Sequence, residues 1–400
     1  MSIKNYQARK LSIPVTELEQ PSFCQLEDNL RSKTLEEEFR AGVRWQKIPT
    51  RYLKMQPSEI ETEIKIMKAL LGDALYILGH HYQREEVIKY ADSTGDSFKL
   101  SLDASKVKNA EYIIFCGVHF MAETADILTS INQKVILPNM AAGCSMADMA
   151  PSDDVEDAWE YVSMLTNDFV PITYMNSSAD IKSLCGENGG LVCTSSNASN
   201  AFKPFIDDNK KIFFFPDQHL GRNTAISLGI SPDQIKIWNP FKKNGVLTVN
   251  EIKDCIVLVW QGHCSVHTRF TKEQILEARI EKSAKIIVHP ECTSEVVNEA
   301  DLVGSTEYII KEVSNSKPGS IWGIGTEVNL VKRLAVENPD KQIFCLDPIV
   351  CPCATMYRIH PAYLLWVLDG LAAGLVINQI SVSDTVRKNS KIALERMLRL

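Results

Sequence analysis

The chain has 400 residues, of which 45% are hydrophobic and 23% are charged, as in an ordinary globular protein. At about 150 residues per domain, this length predicts two or three domains. Lys and Arg number 43 against 50 Asp and Glu, so a net charge of −7 argues against partners such as nucleic acid or an anionic membrane. The most apolar stretch, residues 361–377, is shorter than a membrane span and contains Asp369. Because residues 1–15 show no apolar signal region, we expect a cytoplasmic protein.

Residues 1–55 are polar and irregular, and we predict an N-terminal extension that packs on the surface. A charged run from Lys33 to Arg40 predicts an exposed helix inside this extension. A better-defined helix begins near residue 57 and ends at Gly72, because glycine commonly terminates helices. Its apolar face is formed by residues spaced three or four apart: Ile60, Ile64, Met67 and Leu71.

From residue 74 onward the chain shows short apolar runs that end abruptly in small or polar residues. Such runs, separated by helical segments, are typical of buried parallel strands in α/β proteins. We predict strands within residues 74–82, 111–120, 133–144, 170–178, 189–197, 211–221, 255–264, 285–292, 301–306 and 342–348. Ligands of such sheets bind just beyond the carboxyl ends of the strands, so the residues at these ends are candidate site residues.

Three of these strand ends resemble one another and predict a threefold internal repeat. Each carries a pair of polar residues spaced by two: His80 and Tyr82, Tyr174 and Asn176, and His289 and Glu291. Each pair is followed by a cluster of small hydroxyl residues that contains Ser97, Ser195 or Thr306. Each unit then ends near a cysteine: Cys144, Cys264 or Cys353.

The spacing of these residues supports the repeat. The interval from His80 to Cys144 equals the interval from His289 to Cys353, so the first and third units align without a gap at a constant offset of 209. The middle unit, from Tyr174 to Cys264, is longer than the other two, which predicts an insertion at about residues 224–250 on a surface loop.

The predicted fold is therefore α/β, a pseudo-threefold repeat of three α/β/α domains with parallel sheets around a central site. We place the N-terminal extension at residues 1–55. The predicted domains are 56–145, 146–265 with its insertion, and 266–400 with C-terminal helices.

The eleven cysteines are too dispersed for a disulfide scaffold and lack the spacing of a zinc finger. Buried, inert thiols are the commoner role of single cysteines, but three units would bring Cys144, Cys264 and Cys353 together. Three thiolates fit a catalytic zinc or a [4Fe–4S] cluster, and a cluster held by three would keep one iron open as a Lewis acid. Either Cys351 or Cys353 could be the third ligand, and the repeat favours Cys353.

The hydroxyl clusters and the paired polar residues suggest complementary tasks. Hydroxyl residues at strand-to-helix turns cap helices and present backbone N–H groups to phosphate or carboxylate, so three such turns predict a substrate with several anionic groups. Acid–base capacity comes from His80, Tyr82, His289 and Glu291. We assign no role to the other histidines, although His267 lies close enough in sequence to Cys264 to contact a metal ligand.

Several segments taken together resemble the quinolinate synthase family. They are ILGHHYQ, FCGVHFMAETADIL, AGCSMADM, the PDxHLG stretch at 216–221, WQGHCSVH, VHPEC, VGSTEY and CPCATM. The resemblance runs from about residue 57 to the C-terminus and leaves the predicted N-terminal extension outside. It implies a cytoplasmic transferase of de novo NAD biosynthesis. This enzyme would condense iminoaspartate (iminosuccinate) with dihydroxyacetone phosphate to give quinolinate, phosphate and water.

The resemblance also implies one [4Fe–4S] cluster per chain at the centre of the pseudo-threefold fold. Its ligands would be Cys144, Cys264 and, in a C-x-x-M motif, Cys353. The implied substrate contacts are His80, Ser97, Tyr174, Asn176, Ser195, His289 and Thr306. Tyr82 and Glu291 match the acid–base residues of the family. The pathway implies L-aspartate oxidase as a functional partner.

Two other functions compete with this one. A three-cysteine hydro-lyase would share the open iron but would need no site for a triose phosphate, so phosphate release separates the two enzymes. A redox sensor or electron carrier would favour four ligands and an exposed cluster, whereas these cysteines follow buried strands beside acid–base residues.

Overall fold

The computed structural model describes Glu19 and residues 23–24, 33–39 and 45–400. The chain divides into two compact units. Of the described residues, the smaller unit contains Ser145–Cys264 and Asp384–Leu400, and the larger unit contains those of Leu18–Cys144 and Ser265–Ser383. No helix in the described part of the chain is long and apolar enough to cross a bilayer.

Fourteen strands lie in the described residues, and ten of them fall in the ten predicted runs. In chain order they are β1 Leu75–His80, β2 Ser93–Gly95, β3 Tyr112–Cys116, β4 Lys134–Ile136, β5 Phe169–Tyr174, β6 Leu191–Cys193, β7 Lys211–Phe215, β8 Ile235–Trp238, β9 Val257–Trp260, β10 Lys285–Val288, β11 Leu302–Val303, β12 Ile321–Gly325, β13 Gln342–Cys345 and β14 Gln379–Ile380. The strands that the runs did not predict are β2, β8, β12 and β14.

Helices connect these strands. Those before β5 are α1 Leu35–Phe39, α2 Thr50–Lys54, α3 Pro57–Leu71, α4 Glu85–Ile88, α5 Ser97–Lys106, α6 His119–Leu128, α7 Ser145–Asp148 and α8 Ser152–Leu165. Those up to β10 are α9 Ala179–Glu187, α10 Ala198–Asp207, α11 Gln218–Ser227, α12 Val249–Asp254 and α13 Lys272–Lys282. The last are α14 Ser294–Glu299, α15 Thr306–Ser314, α16 Val328–Glu337, α17 Ala354–Tyr357, α18 Pro361–Ala372 and α19 Asp384–Leu398.

The strands form three sheets, two in the larger unit and one in the smaller. The larger unit has the orders β14-β4-β3-β1-β2 and β11-β10-β12-β13, in which only β14 is antiparallel. The smaller unit has the fully parallel order β6-β5-β7-β9-β8. Three sheets with crossover helices confirm the predicted α/β class and its repeated α/β/α arrangement. The exact domain boundaries stay predictions.

The backbone register of the larger unit reproduces the constant offset between the first and third repeats. Leu78 pairs with Ser93 in the first sheet, and Ile287 pairs with Leu302 in the second. A side-chain contact repeats in the same way. Asp92 accepts a hydrogen bond from the Ile77 N–H at 2.8 Å, and Asp301 accepts one from the Ile286 N–H at 2.7 Å. The two halves of this unit are therefore equivalent residue by residue around their first strands.

The core of each unit explains why the strands are continuous apolar runs. In β10, Ile286 and Val288 belong to one buried cluster, while Ile287 belongs to another on the opposite face of the sheet. A parallel strand covered by helices on both faces must be apolar at every position. In the smaller unit, β7 and β9 contribute Phe213, Phe215, Leu258 and Trp260 to one such cluster.

The insertion in the middle repeat differs from the prediction of a surface loop. Residues 235–238 form β8, which pairs in parallel with β9 at the edge of the sheet. Its Trp238 side chain is buried against Phe213, with the ring centroids 5.7 Å apart. The prediction failed because Lys236 interrupts the apolar residues of this edge strand, so the segment is not a continuous apolar run.

The helix predicted before the first strand is confirmed as α3, with Ile60 and Ile64 buried and Gly72 at its C-terminal cap. The charged run before it is less exposed than predicted. Helix α1 buries both Leu35 and Glu38, and the reason is a buried cationic partner for this carboxylate. The remaining parts of the N-terminal extension, residues 1–18, 20–22, 25–32 and 40–44, lie outside the described residues.

Candidate functional site

Two buried histidines end the first strands of the two halves of the larger unit. His80 ends β1, and its Nδ1 accepts a hydrogen bond from the Tyr82 N–H at 3.1 Å. His289 follows β10, and its Nδ1 accepts one from the Glu291 N–H at 3.4 Å. Burial lowers the pKa of each imidazole to about 3, so both rings are neutral near pH 7. With Nδ1 as the acceptor, Nε2 carries the proton in both rings, so each histidine is a neutral donor.

The Tyr82 hydroxyl lies between two threonines of the other half of the larger unit. It is 3.2 Å from Thr306 Oγ1, at the first turn of α15, and 2.9 Å from Thr326 Oγ1, directly after β12. The Tyr82 ring meets the His80 ring edge-on, with the ring centroids 4.7 Å apart. Tyr82 therefore has its phenolic proton within reach of two hydroxyl groups.

A buried histidine and a buried carboxylate extend this network from the other side of Thr326. His267 Nδ1 is 2.6 Å from Glu291 Oε2, and His267 Nε2 is 3.2 Å from Thr326 Oγ1. The imidazole also stacks on His289, with the ring centroids 4.3 Å apart. These contacts connect Glu291 to Tyr82 through His267 and Thr326. We call these four residues the hydroxyl–imidazole chain.

Sequence reasoning missed Thr326 and assigned His267 no role. Thr326 stands where a parallel strand ends, the position that marked the other candidates, but its strand was not predicted. In β12, Gly323 and Gly325 interrupt the apolar run, and they are needed because a side chain at either position would clash with its neighbours. His267 lies in a single turn of 3-10 helix, in a segment that carries no periodic signal.

The predicted anion-binding positions Ser97 and Thr306 occupy equivalent helix starts. Ser97 is the first residue of α5, and Asp96 caps that helix by accepting from the Lys99 N–H at 2.9 Å. Thr306 is the first residue of α15, which Ser305 caps. The Ser97 side chain is partly exposed and Thr306 is buried beside Tyr82. Both positions lie at the positive end of a helix, where N–H groups favour anions.

Two of the three predicted cluster ligands belong to the larger unit. Cys144 and Cys353 are not disulfide-bonded, and their side chains are partly exposed. The Cys353 N–H donates to Glu327 Oε1 at 3.2 Å, and burial raises the pKa of the Glu327 carboxyl to about 7. Burial also raises the pKa of the Cys353 thiol.

The neighbouring Cys351 is bonded differently. It forms a disulfide with Cys24, a long-range pairing that the dispersed spacing of the cysteines did not predict. Between Cys351 and Cys353, only Cys353 therefore has a free thiol in this structure. Six other cysteines lie outside the disulfide and were not predicted as ligands; five of them are buried, and Cys345 is partly exposed.

The smaller unit places its four predicted site residues at or beyond the carboxyl ends of its parallel strands. Tyr174 ends β5, Asn176 follows it, Ser195 follows β6 and Cys264 follows β9. Carboxyl ends of parallel strands share one edge of the sheet, so these residues lie along a single edge.

Two details of this edge bear on binding. The Asn176 Oδ1 atom is buried and has no hydrogen-bond partner among the described residues. Its loop is held in place because the fully buried Lys182 ammonium donates to the Ser177 carbonyl at 2.7 Å. A buried amide oxygen without a partner is costly in a rigid loop, so it favours a ligand that supplies a donor.

Comparisons with known proteins agree with the resemblance of the motifs. The family profile described as "Quinolinate synthetase A protein" matches residues 62–399. The quinolinate synthase of Corynebacterium glutamicum is 54% identical over 358 residues, which cover 89% of this chain and 91% of the relative. That of Nocardioides sp. is 54% identical over 83% of this chain and 87% of the relative. That of Anoxybacillus flavithermus is 50% identical over 88% of this chain and 96% of the relative.

Proposed function

Because the chain belongs to the quinolinate synthetase A family, enzymes of NAD biosynthesis, we propose that it condenses iminoaspartate with dihydroxyacetone phosphate to quinolinate. Phosphate and water are the other products. Family membership supports the enzyme class, and the hydroxyl–imidazole chain is the observation that carries the proposed chemistry. Condensation, loss of water and ring closure all require protons to leave carbon or nitrogen and to reach departing oxygen atoms.

Tyr82 and Glu291 are the proposed acid–base residues, and the chain between them gives each a route for its proton. Tyr82 donates its phenolic proton to a departing oxygen and recovers a proton from Thr326, 2.9 Å away. His267 supplies Thr326 through Nε2 and holds Glu291 through Nδ1. A buried carboxylate that accepts a proton becomes a neutral carboxyl group, so proton transfer to Glu291 removes a buried charge and creates none there.

The proposed substrate-binding groups are mostly hydrogen-bond donors that carry no charge. The Nε2–H groups of His80 and His289 remain neutral donors, because the low pKa of each ring keeps it from titrating near pH 7, and they hold carboxylate oxygens of iminoaspartate. Ser97, Ser195 and Thr306 offer hydroxyl and backbone donors to the phosphate and carboxylates. Tyr174 and Asn176 complete the proposed contacts, with Asn176 accepting from the imine or a hydroxyl group.

The cysteines fit an iron–sulfur cluster by their chemistry. Cys144, Cys264 and Cys353 are partly exposed thiols outside the disulfide, and each follows a strand end. Thiolates are the preferred ligands of iron–sulfur clusters. We propose that they hold one [4Fe–4S] cluster per chain. When bound, a cluster with three protein ligands supplies an open iron that polarises a substrate oxygen as a Lewis acid.

The proposed substrates also define the setting of the reaction. We propose a cytoplasmic enzyme, as the resemblance to the family implies. Iminoaspartate is an imine that hydrolyses in water, so an enzyme that oxidises L-aspartate must supply it continuously. L-Aspartate oxidase is the proposed functional partner.

The test is anaerobic purification with an iron and sulfide count, followed by an assay with both substrates. The proposal predicts about four irons and four sulfides per chain, a brown colour that oxygen bleaches, and equal amounts of quinolinate and phosphate. Dehydration of a hydroxy acid without phosphate release would identify a hydro-lyase instead. Stoichiometric zinc after anaerobic reconstitution would overturn the cluster and the mechanism built with it.

A further inference from the structure

A buried ion pair links the described residues before α2, here called the N-terminal segment, to the loop that carries Tyr82. Arg84 Nη1 lies 2.8 Å from Glu38 Oε1, and Arg84 Nη2 lies 3.0 Å from Glu38 Oε2. The two side chains are only 2% and 3% exposed. Glu38 belongs to α1, which precedes the part of the chain that matches the family profile, residues 62–399. A carboxylate buried this deeply outside the profile match, and paired with an arginine inside it, calls for a specific role.

The same guanidinium also holds the helix that begins directly after Cys353. Arg84 Nη2 donates to the Tyr357 carbonyl at 2.8 Å, and the guanidinium carbon lies 3.5 Å from the centre of the Tyr357 ring. The Tyr357 N–H in turn donates to the Cys353 carbonyl at 2.9 Å. Arg84 follows Tyr82 by two positions. One planar side chain therefore connects the Tyr82 loop with the backbone of Cys353.

Other described residues before α2 contact the same C-terminal segment, residues 351–360. Cys24 is bonded to Cys351, and the Phe23 ring lies 4.9 Å from the Tyr357 ring. The His360 ring nitrogen Nε2 is 3.0 Å from the Lys33 carbonyl oxygen. The N-terminal segment thus contacts residues 351–360 near their start, middle and end. Within its described part, Glu38 is the charged group that reaches Arg84.

We propose that Glu38 is a positioning residue, which acts through Arg84 to hold Cys353 and Tyr82 in a fixed relation. The inference rests on the proposed roles of Cys353 as cluster ligand and Tyr82 as acid. Removing one partner of a buried pair leaves the other charge uncompensated, so Arg84 would turn away from Tyr357 when Glu38 loses its charge. Glu38 is then part of the active enzyme, although it contributes no group to the chemistry.

The experiment compares E38Q with the double variant E38M/R84M and with a control, E61Q, which removes an exposed carboxylate paired with Lys65 and Lys89. Three quantities are measured for each protein in the same anaerobic buffer. They are the thermal midpoint of the cluster-free chain, hydrogen exchange of its residues 351–360 with residues 211–215 as the internal reference, and the rate at which a chelator removes the reconstituted cluster.

E38Q should lower the midpoint, increase exchange in residues 351–360 by about tenfold over the reference, and accelerate cluster loss by a similar factor. Two methionines fill the space without charge, so E38M/R84M should recover the midpoint. It should not recover exchange protection or cluster retention, because the thioether that replaces the guanidinium has no N–H to donate to Tyr357. Recovery of all three quantities together, or unchanged exchange in E38Q, would reduce Glu38 to a stabilising residue and overturn the inference.

A wild-type chain that binds no cluster would count against the proposed function alone. The exchange measurement on the cluster-free chain would still decide whether Glu38 positions residues 351–360. If E38M/R84M does not fold, E38Q alone decides. A ratio of exchange in residues 351–360 to that in residues 211–215 above the wild-type ratio supports the inference, and an equal ratio overturns it.

Discussion

The Thr326 hydroxyl lies 2.9 Å from the Tyr82 hydroxyl and 3.2 Å from His267 Nε2, so this one side chain joins the proposed acid to the imidazole that holds Glu291. A hydroxyl group suits the position because it donates one proton and accepts others, so it passes a proton in either direction without carrying a charge. Tyr82 and Glu291 therefore act as two ends of one connected set.

Replacing Thr326 with valine tests this connection. T326V keeps the shape of the side chain but removes the hydroxyl from between Tyr82 and His267. We expect kcat to fall about 100-fold with little change in KM, because proton transfer is impaired while the substrate contacts remain. The matched control T62V removes an exposed hydroxyl of α3 that bonds the Ser58 carbonyl. Equal activity of T326V and T62V would exclude Thr326 from the mechanism.

Glu291→Gln separates proton transfer from cluster binding. The amide keeps the size of the side chain but cannot accept a proton, so turnover should fall by about 100-fold or more. Iron and sulfide content should equal those of the wild-type enzyme, because Glu291 is no proposed ligand. Wild-type turnover in this variant would remove Glu291 from the mechanism, and a colourless variant would instead place it among the ligands.

The three cysteines of the proposed ligand set and the neighbouring Cys351 should respond differently to replacement. Changing Cys144, Cys264 or Cys353 to serine should abolish the brown absorbance after anaerobic reconstitution, because a cluster with only three protein ligands is not retained when one of them is lost. C351S should keep the colour, since Cys351 is bonded to Cys24 and its loss leaves Cys353 free. A coloured C353A beside a colourless C351A would reverse the assignment of the third ligand.

Acid should destabilise the folded chain partly through His360. Burial lowers the pKa of this imidazole to about 4, against 6.5 in the unfolded chain. Between these two pH values the unfolded state binds a proton that the folded state does not bind. The free energy of unfolding therefore falls as pH drops from 6.5 towards 4. For one such group the slope is about 1.4 kcal/mol per pH unit.

H360Q measures this contribution. Its amide can replace both ring contacts, accepting from the Ala362 N–H and donating to the Lys33 carbonyl. Urea unfolding of the cluster-free chain at several pH values should give a shallower acid slope for H360Q than for the wild-type chain, by about one proton. Parallel slopes for the two proteins would show that His360 takes up its proton equally in both states.

The local sequence predicted the strands that are continuously apolar, because both faces of a parallel sheet are covered and every position must avoid water. It missed β2, β8 and β14, which contain polar residues, and β12, whose glycines interrupt the run. The constant offset between the repeats predicted equivalent positions for His80 and His289, and the identical i to i+2 hydrogen bonds of these residues agree with it.

What the sequence determined by itself is the α/β class, the repeat, and the residue types gathered at the strand ends. These features follow from patterns within a few positions, or from two segments that carry the same pattern. The tertiary structure alone decided that Thr326 touches Tyr82 and that Glu38 pairs with Arg84, although each pair is far apart in the chain. Such contacts depend on how the packing of helices and strands brings distant parts of the backbone together. The local sequence around a single hydroxyl or carboxylate group does not predict its partner.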